Sequence, residues 1–278
     1  MTPDELAGFP RPLAFVLPGG GALGSYQVGV LRALTEAGVY ADILIGVSAG
    51  SVNASLFAWN QGLDGVLRLE AIWRSIRRRD LLRFQPHRLA LAMAGRHPSF
   101  LDNRHGRDFL RRHLGGRLVE HAPVRLVLVA TDLSTGEAVP ITDGDTVTAV
   151  LASSAFPGAY PPVHLQGRTL IDGGVVADVP LDLAVQVGAA SVLVLSVPPL
   201  APVVPPTNAI EILLRSSSLG VEAHGRTALR RPPAGLVVAE IEAPSSLLGT
   251  FAVGKTVAMI EEGHAAAEAW LRRSATES

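Results

Sequence analysis

Twice near its start the chain runs five apolar residues into a glycine-flanked turn and then into a helical pattern. Leu13–Leu17 stops at Pro18, Gly19, Gly20 and Gly21, after which Tyr26, Val30, Leu31 and Leu34 recur at helical spacing until Gly38. Ile43–Val47 stops at Ser48, and Val52, Leu56 and Trp59 follow on one face of a helix expected over 49–59. Short apolar runs bounded by such turns read as buried strands. The alternation continues. Strands are expected at 124–130, Ala138–Ile141, 168–171, 191–197 and 236–241. Helices are expected over much of 64–117, then at 145–153 with Asp145 as N-cap, 180–187, 210–229 and 253–271. The segments SSAFPGAYPP and 198–206 read as proline-rich connections. Strands alternating with helices imply an α/β layered fold with a largely parallel sheet. A chain of 278 residues, 48% of them hydrophobic, suffices for one large domain of that kind.

Composition removes several chemistries. With no cysteine, disulfides, thiolate catalysis and cysteine-based zinc sites are excluded. His87, His97, His105 and His113 show no convincing metal-ligand spacing and read as mostly exposed. A net charge of −1 argues against a chain basic throughout that binds nucleic acid on that account. The start, MTPDELAGFPRP, is acidic and proline-broken and lacks the pattern of a signal peptide. No apolar run approaches the roughly 18 residues of a spanning helix. The expectation is a cytoplasmic protein, with peripheral membrane association left open. Between residues 68 and 117 thirteen arginines face four acidic residues, a formal +9 against −10 for the remainder. That segment reads either as solvated helix faces or as a basic surface for anionic lipid headgroups, where each arginine contributes about 1 kcal/mol.

Three motifs carry chemistry. GVSAG at 46–50 places Ser48 between a strand end and a helix start. Gly46 and Gly50 remove Cβ atoms that would crowd a sharp turn, and the helix N-terminus beneath favours developing negative charge. The plainer alternative is an N-cap serine. GGGALG at 19–24 has the glycine spacing of a dinucleotide-binding loop, with Gly19, Gly21 and Gly24 in place. The acidic residue that such a site needs belongs at the end of the second strand. Asp42 lies before that strand, and Ser48 occupies its end, which demotes the reading. The loop's other use is a row of backbone N–H groups that binds an anion. DGG at 172–174 sets Asp172 at a strand end with Gly173 and Gly174 behind it, which is either an ordinary turn or a carboxylate reaching into a cleft.

In this order and context, the motifs resemble those of the patatin-like phospholipase family. LPGGGALGSYQVGVLRAL resembles its opening strand, loop and helix; SSAFPGAYPPV and DGGVVADVPLDLAVQVGA resemble the segments around its aspartate. The resemblance covers roughly 12–200, implying a patatin-like acyl hydrolase domain there, with 201–278 as a C-terminal extension packed on the same domain. It implies a three-layer α/β fold and a Ser–Asp dyad, with Ser48 as nucleophile and Asp172 as base. It also implies an oxyanion hole from the amides of Gly19, Gly20 and Gly21, joined by Ala49, no metal or organic cofactor, and a lipid ester as substrate. Two places depart from the family's pattern. Leu23 stands where many relatives carry Arg or Lys, and Asp178 where asparagine is common, which leaves a second carboxylate near Asp172. The competing enzyme reading is an α/β-hydrolase with a Ser48–Asp172–His264 triad. That fold sets several strands before its nucleophile, whereas one precedes the Ser48 strand here. A nucleotide-binding protein using GGGALG is the reading from another class.

Overall fold

A computed structural model describes residues 9–76, 91–92, 94–198, 209–243 and 253–273. Its centre is an eight-stranded sheet. The strands are β1 (Leu13–Leu17), β2 (Ile43–Val47), β3 (Arg125–Asp132), β4 (Ala138–Ile141), β5 (Val163–Leu165), β6 (Arg168–Asp172), β7 (Ser191–Leu195) and β8 (Val237–Ile241). They lie in the order β5-β6-β3-β2-β1-β7-β8, with β4 also paired to β3. Strands β1, β2, β3, β7 and β8 run parallel. The antiparallel strands are β4 and β6 against β3, and β5 against β6.

Side-chain alternation along the parallel strands builds the layers. Leu13, Phe15 and Leu17 of β1, Leu126 and Leu128 of β3, and Leu193 and Leu195 of β7 enter one core. Their neighbours Ala14, Val16, Val127, Val129, Val192 and Val194 enter another on the opposite face. A strand apolar on both faces must be covered on both. The first core is closed by α1 (Gly24–Glu36), α2 (Ala49–Ala58), α3 (Leu63–Ser75), α4 (Arg104–Leu114), α5 (Thr146–Ser153) and α9 (Thr256–Arg273). The second is closed by α7 (Leu181–Gln186) and the C-terminal part of α8 (Ala209–Arg230); a single-turn helix, α6 (Gly174–Ala177), follows β6.

The helix ends follow local chemistry. Asp145 caps α5 by accepting from the Thr148 amide at 2.9 Å. Gly38 and Gly188, both at positive φ, stand just beyond α1 and α7. Beyond residue 200, β8 adds to β7 and α9 packs along α1. The α1–α9 crossing is close because each helix carries a glycine there. A Cβ at Gly29 would fall 1.8 Å from the Ile260 carbonyl oxygen, and one at Gly263 would fall 2.1 Å from that of Tyr26. Among the described residues no helix is long and apolar enough to cross a membrane.

One expectation needs correction in detail. The stretch after SSAFPGAYPP contains a strand, β5, that hairpins onto β6 through Gln166 and Gly167, both at positive φ. The expected helical region 64–117 contains α3 and α4, while its residues 77–90 lie outside those described. The expected connection 198–206 also falls almost wholly outside them.

Candidate active site

Parallel strands that end side by side present their loops to one crevice. Here the glycine loop leaves β1 and Ser48 leaves β2 at adjacent carboxyl ends. Ser48 has φ 51° and ψ −118°, a conformation that costs a non-glycine residue about 1–3 kcal/mol. It occupies the N-cap position of α2, yet its side chain makes no capping hydrogen bond. Its Oγ instead donates to Asp172 Oδ2 at 2.7 Å.

The flanking glycines are required by close approach. A Cβ at Gly46 would lie 2.6 Å from the Gly50 carbonyl oxygen, and one at Gly50 would lie 1.9 Å from that of Leu17. The first turn of α2 is thereby pressed against the end of β1, beneath the glycine loop. The Ala49 amide belongs to this turn, whose first N–H groups have no intrahelical acceptor.

Asp172 ends β6 and is only 3% exposed. Its Oδ1 accepts the Gly174 amide at 2.9 Å, and its backbone carbonyl accepts the Thr131 hydroxyl at 2.9 Å. Gly173 lets this turn lie on β3, since a Cβ there would fall 2.2 Å from the Val129 carbonyl oxygen. Burial pushes the Asp172 carboxyl up to about 6, against the lowering effect of the Ser48 and Gly174 hydrogen bonds. A carboxylate held in that range stores basicity that an exposed aspartate lacks.

The glycine loop divides its amides between two tasks. Gly19, expected among the oxyanion donors, gives its N–H to Asp178 Oδ1 at 2.8 Å. That expectation is corrected for the structure as it stands, because a carboxyl acceptor already occupies the amide. Gly20 and Gly21, with φ of 153° and 59°, are half-buried and border the crevice. Leu23 is buried in the core, so its aliphatic side chain serves packing. Gly24 lies against α2, where a Cβ would meet that of Ala49 at 3.0 Å.

Buried polar side chains hold these parts together, and sequence reasoning did not single them out. Ser153, at the end of α5, accepts the Ser48 amide at 3.0 Å on its Oγ and donates to the Val129 carbonyl at 2.6 Å. Its own carbonyl accepts the Gly173 amide at 3.2 Å. One serine thus ties the Ser48 turn, the Asp172 turn and β3. Beneath the glycine loop, Gln27 Nε2 donates to the carbonyls of Pro18 and Leu195 at 2.9 and 3.1 Å. Asn53 Nδ2 donates to Gln27 Oε1 and to the Gly24 carbonyl, both at 2.8 Å. Trp73 donates to Asn53 Oδ1 at 2.7 Å. Each member satisfies its neighbours, so the low dielectric strengthens the network. A buried polar residue leaves no periodic signal in a sequence.

The competing assignments separate spatially. His264 Nε2 pairs with Glu36 Oε2 at 2.6 Å, at the far end of α1 from the glycine loop, about 18 Å along a helix of that length. It is not brought to Asp172. Asp42 accepts the Leu13 amide at 2.7 Å and an Arg11 nitrogen at 2.8 Å, at the opposite end of the strands from GGGALG. A nucleotide held on that loop would not reach it. A cavity of about 520 Å³ opens behind Asp178, lined among others by Val176, Leu181, His224 and Ala228; Ser48 does not line it.

The sequence matches the family model described as patatin-like phospholipase over residues 15–185. An uncharacterised NTE family protein of Mycobacterium tuberculosis is 33% identical over 174 residues, 62% of this chain and 28% of that protein. Patatin-like phospholipase domain-containing protein 7 of Rattus norvegicus is 30% identical over 189 residues, 66% of this chain and 13% of that protein. The chain therefore spans a minor part of the length of these relatives. Among solved structures, VipD from Legionella pneumophila aligns with a TM-score of 0.45 at 15% identity, covering 95% of this chain and 67% of that one.

Proposed function

The chain belongs to the patatin-like phospholipase family, and on that premise we propose that it is a serine lipid acyl hydrolase working through a Ser48–Asp172 dyad. The observation that carries this reading is the direct 2.7 Å hydrogen bond from Ser48 Oγ to Asp172 Oδ2. Ser48 attacks the ester carbonyl carbon as Asp172 takes its proton. The carbonyl oxygen becomes an oxyanion facing the amides of Gly20 and Gly21 and the first-turn amide of Ala49. The aspartic acid returns its proton to the leaving alcohol, which departs and leaves an acyl-serine. Water then attacks the acyl carbon as Asp172 takes its proton, and the aspartic acid returns that proton to Ser48 Oγ as its bond to the acyl carbon breaks and the fatty acid leaves. Removing a single donor from such a hole typically costs about 3 kcal/mol of barrier stabilisation. Strain at Ser48, together with burial and a perturbed carboxyl at Asp172, supports the assignment, because such features concentrate where chemistry occurs.

The substrate class proposed is a phospholipid or related lipid ester. The basic segment 68–117 is proposed as the surface that meets an anionic membrane. Of its described part, Arg68 and Arg74 on α3, Arg96, and Arg104, Arg111 and Arg112 on α4 are exposed, as are Leu63 and Leu67 of α3.

The test is fatty acid release from phospholipid vesicles and product release from a short-chain p-nitrophenyl ester, with chelator present. Wild type is compared with Ser48→Ala and Asp172→Asn, each checked for folding. Both variants should lose activity by at least about a thousandfold. Turnover that survives Ser48→Ala sinks the mechanism.

A further inference from the structure

The crevice holds a second carboxyl group that the dyad does not use. Asp178 Oδ1 accepts the Gly19 amide at 2.8 Å, at the head of the glycine loop. A Cβ placed on Gly19 would lie 3.1 Å from Asp178 Oδ1 and 3.7 Å from Ser48 Oγ. A Cβ placed on Gly174 would lie 3.2 Å from Asp172 Oδ1 and 3.3 Å from Asp178 Oδ1. Both carboxyl groups therefore border the same small space, and both stand beside the reacting hydroxyl.

Two carboxylates that share one site resist being ionised together, and here Asp172 is buried and Asp178 half-buried. Their surroundings decide which keeps the proton. Asp172 accepts from the Ser48 hydroxyl and the Gly174 amide, two donors that favour its anion. Asp178 accepts from Gly19 and is pushed towards its acid form by burial, by Asp172 and by Glu222 of α8. Glu222 is itself shared between Arg215 and Arg226, each at 3.5 Å. Glu137 of the β3–β4 turn, Asp182 of α7, and His224 and Arg231 from α8 and its end face the cavity that Asp178 also lines.

We propose that Asp178 is a positioning residue that fastens the glycine loop as a neutral acid, and that hydrolysis is lost when it ionises. This inference rests on the Ser48–Asp172 reading. In the neutral form Oδ1 is the acceptor for Gly19 and the proton sits on Oδ2, the oxygen turned towards Gly225 of α8, where a Cβ would lie 3.6 Å away. The loop is then held without a charge beside the oxyanion. Ionised Asp178 would keep the Gly19 bond but would set a fixed negative charge against the one developing on the ester oxygen.

Burial holds the Asp172 carboxyl at about 6 and, with the two acidic neighbours, the Asp178 carboxyl at about 7. Reactivity should rise as Asp172 ionises and fall as Asp178 does, giving a narrow bell. Asparagine at 178 keeps the acceptor and the shape while removing the charge.

The experiment follows the rate at which an alkyl fluorophosphonate labels Ser48 from pH 4.5 to 9.5. It is paired with 13C NMR titration of labelled aspartate carboxyls in the same proteins. Wild type should show an alkaline limb of about tenfold or more, and Asp178→Asn should lack it while keeping the acid limb. Asp178→Ala should also lack the limb but react more slowly at every pH, because the loop has lost its anchor. In the spectra, one carboxyl of wild type should titrate near neutrality and vanish in Asp178→Asn. In Asp172→Asn that titration should move to lower pH.

An alkaline limb that persists in Asp178→Asn overturns the proposal. So does an Asp178 carboxyl that titrates in the ordinary aspartate range, whether or not the protein turns over. If Ser48 is never labelled in wild type, the hydrolase reading fails by itself, and the NMR titration still decides whether the two carboxyls share a proton.

Discussion

At Asp172 the chemistry proposed for the site conflicts with the stability of the fold. The carboxyl keeps its proton up to about 6 in the folded chain, against an ordinary value of 3.8, because burial disfavours its anion. A group raised by folding favours the native state while protonated. That contribution is complete below the unfolded value and is lost as pH rises through the folded one. The difference corresponds to about 3 kcal/mol. Asp172→Asn retains an oxygen for the Gly174 amide and an N–H for Ser48 Oγ while discarding the charge. It should abolish hydrolysis and raise Tm above wild type, more at pH 8 than at pH 4. Thermal melts at those two values check it; a variant less stable than wild type at pH 8 contradicts the account. The turn at Ser48, the strand end at Asp172 and the close approaches at the motif glycines were legible in the sequence because each answers a need that few residue types meet: a small residue on a sharp turn, a carboxylate beside glycines, a backbone contact that no Cβ tolerates. Ser153, Gln27 and Asn53 were not, because serine, glutamine and asparagine occur anywhere and only the fold makes them buried hubs. The task of Gly19 was misread for a related reason: the sequence shows an amide row but not which acceptor reaches it.

Between elements, the most exacting contact is the crossing of α1 and α9, where Gly29 and Gly263 each meet a backbone carbonyl. Backbone cannot swing aside as a side chain can, so Gly263→Ala must drive the helices apart. Overpacking of that kind costs typically about 1–3 kcal/mol. Because α1 begins at Gly24, at the end of the glycine loop, its displacement should also reach the amides of Gly20 and Gly21. Gly263→Ala should therefore lower both Tm and the rate of ester hydrolysis. Gly106→Ala is the control: it lies on α4 with open space around it, and should leave activity unchanged and stability equal or slightly higher. Unaltered Tm in Gly263→Ala would show that the crossing has slack. At this scale the parallel strands and the helices at 24–36 and 49–58 were legible, since five-residue apolar runs and helical spacing record burial directly. The strand β5 was not. It is three residues long with one buried side chain, and its hairpin turn uses Gln166–Gly167 where the familiar signal is Asn-Gly.

Across the whole molecule, strand order was the least legible property. The chain visits β1, β2 and β3 in spatial succession, but β7 returns to the other side of β1 and carries β8 outward. Composition cannot announce that return, because β2 and β7 are equally apolar. Charge distribution, by contrast, was legible at once, and it bears on the proposed membrane surface. His113 of α4 is held below its ordinary value by burial and by the charges of Arg112 and Arg68, which brings α3 and α4 into one basic neighbourhood. Arg74 and Arg117 are otherwise engaged, the first with Glu70 and Glu261, the second over the Trp59 ring at 4.8 Å. The exposed arginines at 68, 96, 104, 111 and 112, with Leu63 and Leu67 exposed on α3, remain to meet a surface. Attraction of this kind is screened within about 8 Å at physiological ionic strength. Binding to phosphatidylglycerol vesicles should therefore weaken at least about tenfold between 50 and 500 mM salt, and binding to phosphatidylcholine vesicles should be weak throughout. Reversing Arg111 and Arg112 to glutamate should reduce vesicle binding and phospholipid hydrolysis together while sparing a soluble p-nitrophenyl ester, since neither side chain lies at the dyad. Co-sedimentation with the two vesicle types, across salt, measures the first expectation, and paired assays on the two substrates measure the second. Salt-independent binding, or a double variant that loses the soluble ester to the same extent, would reduce the arginines to solvated helix faces, the other meaning that the charge run allows.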